Sequence, residues 1–354
     1  MWPYFFIVFS ILLLQIEFSK KNTNKIRYSL AFLLLFSFAA LRGNGNGDYF
    51  SYLKYSTFIT SIDNVLNSNF PMEIGFRIIS YVVNKLGIHQ QAVIVIMNLI
   101  SLICIYKFIE NYSPDKILSI LFFLPIYFQF DMHAARTAVA IGISTFSFKY
   151  LHQRKPLKYL LVILLASFFH KTAMILIIMY FVGNIKINRY LGLMSILGAS
   201  LLTKFVSFSS VILHMLKFFR LNSFAHRYYI YTQSQAYGYS YKLYDPRLFL
   251  VIGIYTLAKI LLDNSDELQN LLINYIWMNA LLMIIFSEHT VFVTRLTCYF
   301  NIYTIILIPY IISNHRIISN RTLYNLTKLS YIYIYISYIL ALLSGAVEYK
   351  LFFI

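Results

Sequence analysis

Charged residues are scarce in this sequence, and carboxylates are the scarcest of them. Asp and Glu together number 13, against 30 Lys and Arg, and charged residues make up 12% of the chain. A soluble domain averages about 25%, so this composition excludes the water-soluble class. The two cysteines, Cys104 and Cys298, both lie in apolar runs. We expect them to be buried thiols, and we expect neither a disulfide framework nor a cysteine metal site.

Motifs that mark several enzyme and transporter classes are also missing. The sequence has no nucleotide-binding Gly-Lys loop, no metal-ligand spacing and no Ser-centred nucleophile elbow. An ATP-driven pump and a soluble-type hydrolase are therefore unsupported, and we predict no metal and no cofactor. The net charge of +17 does not indicate a nucleic-acid partner, because the basic residues are scattered at the ends of apolar runs. This distribution favours anionic membrane lipids as partners.

Apolar runs fill most of the chain, which is 59% hydrophobic. Many of them approach the roughly 20 residues needed to cross about 30 Å of hydrocarbon. The sequence therefore predicts an all-α polytopic membrane protein with roughly 10–12 transmembrane helices, folded as a single integral membrane domain over residues 1–354. The candidate spans are 2–18, 26–41, 88–107, 116–130, 133–151, 157–169, 171–184, 190–206, 247–262, 268–286, 290–312 and 322–344.

Clusters of basic residues predict the orientation of these spans. Four cations follow the first span, and the short loops 149–158 and 314–321 are also basic. Because cytoplasmic loops carry an excess of Lys and Arg, we place these loops inside and the N-terminus outside. Two long polar segments, 42–87 and 207–246, then lie on the outer face. The four cations after the first span are Lys20, Lys21, Lys25 and Arg27.

The predicted spans 157–169 and 171–184 are short for a membrane. Thirteen helical residues reach only about 20 Å. Either the pair is one long tilted helix, or it breaks at His170-Lys171 where the chain lines a cavity, and we favour the break.

The first outer segment carries two pairs of polar residues at helical spacing. Asp48 and Tyr52 are four residues apart and follow a glycine-rich stretch that could expose backbone N–H groups to an anion. Asp48 could equally be a plain helix N-cap. Glu73 and Arg77 are also four apart, and as a surface ion pair they would contribute only ~0.3–0.5 kcal/mol.

Two arginines lie about one turn inside predicted spans, where a charge costs at least ~2.5 kcal/mol. They are Arg136 and Arg295, and each is expected to face a cavity and an anion, since a guanidinium suits phosphate oxygens. His170 is either a helix-breaking residue or a proton-transfer group. The second outer segment is rich in tyrosines and cations, and we expect part of it to be an amphipathic interfacial helix.

These residues, in this order, resemble the EpsG-like branch of the Wzy-type polysaccharide polymerases. The resemblance rests on five elements: Arg42 to Tyr52, Glu73 to Phe76, Arg136 to Ala140, Leu165 to Ala173, and Arg295 to Phe300. It covers most of residues 40–180 and 285–300, whereas residues 185–284 match only in hydropathy.

The resemblance implies an enzyme that extends a glycan on the outer, periplasmic face of the bacterial inner membrane. The growing chain, held on a polyprenyl diphosphate, would be transferred to the non-reducing end of a new lipid-linked unit. The polyprenyl diphosphate is the leaving group and supplies the energy of the transfer, so neither ATP nor a sugar nucleotide is required. A lipid-linked oligosaccharide is thus an expected partner, and a chain-length regulator protein is a further candidate.

The resemblance also suggests roles for individual residues. Arg136 and Arg295 would bind diphosphate oxygens, and His170 is ranked slightly ahead of two carboxylates, Asp48 and Glu73, as general base. The remaining candidates for binding lipid or sugar are Arg42, Arg220, Arg227, Tyr49, Tyr52 and Tyr228.

Two other functions remain open at this stage. A lipid-linked oligosaccharide flippase would need a water-lined path between two similar halves, and no such halves are visible. Another membrane glycosyl- or acyltransferase of the same pathway would make the same demands on Arg and His.

Overall fold

The computed structural model describes residues 2–15, 23–43, 48–218, 220, 222–233, 239–262 and 265–353, with some side chains inside these ranges left undescribed. Within these residues the chain is helical apart from turns and one isolated bridge between Arg42 and Leu351. Gly45 and Gly47, which the sequence suggested as anion-binding positions, lie outside the described residues. The all-α prediction is confirmed.

The helices are numbered here in chain order. They are α1 (Trp2–Leu14), α2 (Thr23–Ala40), α3 (Tyr49–Thr57), α4 (Ile62–Leu66), α5 (Ile74–Lys85), α6 (Gln91–Tyr112), α7 (Lys116–Ile126), α8 (Ala135–Thr145), α9 (Ser147–His152), α10 (Pro156–Ser167), α11 (Ile177–Val182), α12 (Arg189–Leu202), α13 (Phe208–Phe218), α14 (Asn222–Gln233), α15 (Pro246–Leu261), α16 (Glu267–Ile285), α17 (Thr290–Asn301), α18 (Thr304–Ile312), α19 (His315–Ile318) and α20 (Arg321–Leu343). A π-helix, Tyr127–Asp131, extends α7, and a 3-10 helix, Lys171–Leu176, precedes α11.

Several of these helices are long and apolar enough to cross a membrane. Three meet that test singly, α6, α16 and α20, and α17 with α18 would form a fourth span bent by 52°. A polytopic membrane protein is therefore confirmed, while the number of 10–12 spans stays a prediction. Many predicted spans correspond to shorter or interrupted helices; residues 133–151, for example, divide into α8 and α9.

The break predicted at His170-Lys171 is confirmed, and the cavity expected beside it stays a prediction. Helix α10 ends at Ser167, His170 is extended with φ −154° and ψ 116°, and the 3-10 helix begins at Lys171. The N–H of Gly75 donates to the carbonyl of Phe168 over 2.8 Å. A Cβ on Gly75 would lie 2.9 Å from that same oxygen, so the start of α5 can approach the break only with glycine here.

The chain forms two compact units. The first comprises Met1–Ile177 and Ile308–Ile354, and the second comprises Ile178–Leu307. In the first unit α8 packs along α6, and Gly142 lets the backbones approach, because a Cβ there would lie 3.0 Å from the carbonyl of Ser101. In the second unit α16 packs against α12, α15 and α17. The single-domain organisation read from the sequence stays a prediction.

Candidate functional site

Four polar side chains, from α3, from α8 and from the residues that directly precede α3 and α5, meet at one end of the first unit. Arg136, the second residue of α8, donates from Nη1 to Glu73 Oε2, and its Nη2 lies 3.5 Å from Asp48 Oδ2. The hydroxyl of Tyr52 donates to the same Asp48 oxygen over 3.0 Å. We call Asp48, Tyr52, Glu73 and Arg136 the Arg136 cluster.

Both carboxylates of the Arg136 cluster occupy helix N-cap positions without capping a helix. Asp48 precedes α3 and Glu73 precedes α5, yet neither side chain makes a capping hydrogen bond. A capping side chain typically contributes about 1 kcal/mol. Neither carboxylate makes this stabilising contribution, and both contact Arg136 instead. The interpretation of Asp48 as a plain N-cap is therefore wrong.

Tyr52 contacts both Arg136 and Asp48 and so connects them within the cluster. Its ring is fully buried, and the Arg136 guanidinium carbon lies 5.5 Å from the ring centroid. The backbone N–H of Arg136 donates to the Tyr52 hydroxyl over 3.4 Å. Burial raises the pKa of Tyr52 to about 12, so at neutral pH the phenol keeps the proton that it donates to Asp48. The prediction that Asp48 and Tyr52 share one face is confirmed by their hydrogen bond.

The three charged members of the cluster differ in exposure. The side chains of Arg136 and Glu73 are 14% and 16% exposed, whereas that of Asp48 is 40% exposed. Asp48 is therefore the more accessible of the two carboxylates. One guanidinium faces two carboxylates, so the cluster is suited to accepting a proton as well as to binding a polar group.

Glu73 and Arg77 do not form the surface ion pair that was one reading of their spacing. Glu73 turns to Arg136, and Arg77 donates from Nη1 to the carbonyl of Asn67. Arg77 is itself buried, and it fixes the loop that leads into α5.

Arg42 lies in the interior of the same unit. It is fully buried, and its Nη1 donates to the carbonyl of Asp131 over 2.8 Å. Gln91 Nε2 donates to the carbonyls of Ala40 and Arg42, and Gln91 Oε1 accepts from the hydroxyl of Tyr49. Arg42 and Tyr49 therefore support the site through hydrogen bonds in the interior of the unit. Gln91 was not among the residues predicted from the sequence, where its signal is a polar residue at the start of a long apolar run.

The segment around Arg42 pairs with the end of the described chain. Gly43 N–H donates to the carbonyl of Lys350 over 2.7 Å, and Phe352 N–H donates to that of Leu41 over 3.0 Å. A Cβ on Gly43 would lie 2.3 Å from the Phe352 Cα. Only glycine allows this approach, which gives the first glycine of the motif a structural role.

His170 lies at the break beside α5. It is 8% exposed, and its Nδ1 shares a hydrogen bond with Thr172 Oγ1. Its turn is attached to α5 through the Gly75–Phe168 hydrogen bond, two residues after Glu73. The structure thus brings the His170 segment to the same end of the unit as Glu73.

The remaining candidates belong to the second unit. Arg295 is half-buried on α17, Arg220 is exposed in a turn with φ 56°, and the Arg227 side chain lies outside the described residues. Tyr228 is buried, stacks on Phe292 with ring centroids 4.4 Å apart, and donates to Ser209. One face of the Tyr228 ring is thus already covered by another ring.

The predicted outer segment 207–246 contains α13 and α14, and a carboxylate organises its beginning. Glu288 Oε2 accepts hydrogen bonds from Ser207 Oγ and from the backbone N–H of Ser209. Arg247, another cation of this segment, pairs with Asp245 through two hydrogen bonds of 2.9 and 2.7 Å.

Comparison with known proteins identifies one family. The sequence model described as the EpsG family matches residues 25–353, which is nearly the whole chain. No curated protein and no solved structure matches the chain.

Proposed function

The chain belongs to the EpsG family, and from that premise we propose that it is a polysaccharide polymerase of the bacterial inner membrane. It transfers a glycan from a polyprenyl diphosphate to the non-reducing end of a lipid-linked repeat unit, on the outer face. The family relation supports a polymerase-like membrane protein. The donor, the acceptor and the side of the membrane are parts of the proposal.

One observation carries this proposal: the Arg136 cluster combines a partly exposed carboxylate with a guanidinium at one end of a helical membrane unit. Glycosyl transfer to a sugar hydroxyl needs a base for the hydroxyl proton and a cation near the departing diphosphate. Asp48 and Arg136, 3.5 Å apart, supply both kinds of group side by side.

The transfer step follows from these positions. The acceptor hydroxyl attacks the anomeric carbon of the donor sugar, and the new carbon–oxygen bond forms as the bond to the diphosphate oxygen breaks. The hydroxyl proton passes to Asp48, and the polyprenyl diphosphate leaves with the electron pair of the broken bond. The chemical energy comes from the diphosphate, so no further co-substrate is required.

Arg136 lies beside the proposed base, Asp48, and also binds the departing diphosphate in this proposal. Its close contact is with Glu73, and its contact with Asp48 is the looser one. A diphosphate oxygen that takes the place of Asp48 on Nη2 leaves Asp48 free to accept the proton. Glu73 acts as a positioning residue that holds the guanidinium while this exchange takes place.

The geometry changes the ranking of the general base. His170 is nearly buried and its Nδ1 already has a partner in Thr172, whereas Asp48 is the most exposed charged side chain of the Arg136 cluster. We therefore rank Asp48 first and assign His170 to the support of the α10 break. Arg295 remains a candidate for binding diphosphate oxygens, and Arg220 and Arg227 remain candidates for binding the second lipid head group or the glycan.

A complementation experiment tests the function. The gene is deleted in its host, and plasmids carrying the wild-type chain, Asp48→Asn or Asp63→Asn are introduced. Surface polysaccharide is then separated on a gel. Asp63 is an exposed carboxylate in the same segment, on α4, so its variant is a matched control.

We expect a single-repeat band for the deletion and for Asp48→Asn, and a full ladder for Asp63→Asn. Loss of all surface glycan, with lipid-linked units accumulating inside, would identify a flippase instead. A full ladder with altered decoration would identify a modifying transferase. A full ladder from Asp48→Asn would exclude Asp48 as the base.

A further inference from the structure

A cavity of about 690 Å³ lies at the other end of the first unit from the Arg136 cluster. Helix α2 ends at Ala40, beside Arg42, and its first turns line the cavity with Lys25 and Arg27. Helix α6 begins at Gln91, beside Arg42, and Glu110 in its last turn lines the cavity. The same two helices therefore connect the candidate active site to this second location.

Cations dominate the lining of the cavity. Lys25 and Arg27 come from α2, Lys116 from the start of α7, and Lys328 from α20. Four positive charges from three separate parts of the chain thus surround one space.

The carboxylates of the lining already have other partners. Glu110 pairs with Lys107 at 3.1 Å, and Lys107 is not part of the lining. Asp115 caps α7 by accepting the backbone N–H of Leu118 over 3.0 Å. Among the described residues, no carboxylate lies within 4.0 Å of the ammonium groups of Lys25, Lys116 or Lys328.

A buried side-chain amide also lines this cavity. Gln15 Nε2 is buried, and within the described part of the chain it has no hydrogen-bond acceptor. Lys116 has a ring beside it instead of an anion, with its ammonium 5.9 Å from the centroid of Tyr28. An excess of donors and positive charge over acceptors is the environment that a phosphate group requires.

We propose that this cavity binds the phosphate of an anionic lipid head group. It lies where the apolar helix α1 ends at Leu14, where α7 begins at Lys116 and just after α18 ends. The ends of apolar helices lie at the level of the head groups in a bilayer, and basic pockets between such helices suit anionic lipids. The same phosphate chemistry could be met by a free anion, which the experiment distinguishes.

A bound head group would connect parts of the fold that are distant in sequence. One phosphate between Lys25, Lys116 and Lys328 joins α2, α7 and α20. Because the ligand binds only the folded arrangement, it raises the thermal stability of the protein, and the increase grows with the logarithm of the ligand concentration above the dissociation constant.

The experiment uses the full chain purified in a neutral detergent. Phosphatidylglycerol, phosphatidylcholine or inorganic phosphate is added, the melting temperature is recorded, and bound lipid is counted by native mass spectrometry. The cavity variant is the double substitution Lys116→Gln, Lys328→Gln. The control is Lys54→Gln, Lys85→Gln, which removes the same charge from exposed positions on α3 and α5.

The control is closely matched at one position. Lys328 lies 5.7 Å from the ring of Tyr324, and Lys85 lies 5.7 Å from the ring of Tyr81, each one helical turn away. The two substitutions therefore remove the same kind of local contact, and only one of them changes the cavity.

We expect phosphatidylglycerol to raise the melting temperature of the wild type and the control, and to bind the cavity variant about tenfold more weakly. Inorganic phosphate that stabilises the wild type as well as the lipid does, with the same loss in the cavity variant, would keep the phosphate site and identify a free anion as its ligand. Equal stabilisation by phosphatidylcholine, or equal binding to the cavity variant and the control, would overturn the proposal.

Discussion

At the scale of single residues, the site depends on two carboxylates that stand at helix N-cap positions but do not cap a helix. Asp48 and Glu73 each stand where a carboxylate would cap a helix, and each points to Arg136 instead. The proximity of Asp48 and Tyr52 could be inferred from the sequence, because they are four residues apart at the start of one helix. The Glu73–Arg136 pair could not, because these residues are 63 positions apart and only the packing of α5 brings them together.

The bridging geometry of Arg136 leads to a prediction about Arg136→Lys. A single ammonium cannot hold Glu73 and Asp48 through separate nitrogen atoms, so we expect the free energy of unfolding to fall by about 2 kcal/mol. We also expect the polysaccharide ladder to shrink to the single-repeat band. Chemical denaturation of the purified protein and the gel of surface polysaccharide measure the two effects.

Arg77→Lys is the control for this substitution. Arg77 is also buried, but its Nη1 donates to a backbone carbonyl outside the Arg136 cluster. We expect its lysine variant to lose stability while it retains the ladder. If Arg136→Lys retains the ladder as well, the guanidinium fork has no part in the reaction.

At the scale of structural elements, a feature that depends on the length of an apolar run was predicted from the sequence. A feature that depends on contacts between residues distant in sequence was not. The break at His170-Lys171 followed from two apolar runs too short to span a bilayer. The bend of 52° between α17 and α18 was not predicted, since residues 290–312 read as one apolar run. In the structure, Asn301 accepts from Asn279 and Tyr303 stacks on Tyr275 at the bend, and local sequence does not show those contacts with α16.

The contact between α5 and the α10 break leads to a prediction about Gly75→Ala. The added Cβ would lie 2.9 Å from the Phe168 carbonyl and from the Phe169 ring, which forces the two segments apart. We expect a loss of about 1–3 kcal/mol in the free energy of unfolding. Polymerisation should also weaken, because Glu73 lies directly before this helix. Thermal unfolding and the polysaccharide gel are the measurements.

Gly253→Ala is the matched control for the α5 variant. Gly253 lies within α15, and nothing lies within 4 Å of the position its Cβ would take. Because alanine favours a helix over glycine by up to about 1 kcal/mol, this variant should unfold at the same temperature or slightly higher. An equal loss of stability in both variants would show that close approach at Gly75 is not the cause.

At the scale of the whole molecule, hydropathy and the distribution of basic residues predicted the helical membrane class and an orientation. Within the first unit the structure agrees with the predicted alternation of spans. Arg42, Asp48, Glu73 and Arg136 lie at one end, and Lys25, Lys116 and Lys328 lie at the other. The division into two units was not predicted, because no linker or change of composition marks residues 177–178 or 307–308.

This distribution leads to a prediction about membrane orientation. Lys54→Cys, on the side of the Arg136 cluster, should react with a membrane-impermeant thiol reagent in intact spheroplasts. Arg321→Cys, at the start of α20, should react only after the membrane is opened. Both positions are exposed, and the native Cys104 and Cys298 are buried, so the background is low. The reverse labelling pattern would place the Arg136 cluster in the cytoplasm.

The pairing of Arg42 with Leu351 has a consequence for biosynthesis. Arg42 precedes α3 and Leu351 follows α20, so the ribosome completes helices α3 to α20 before the two residues can meet. Contacts between such distant residues form late, because a long loop must close first. The segment that supports the Arg136 cluster therefore acquires this backbone partner only after translation of α20, although the helices themselves can enter the membrane one after another.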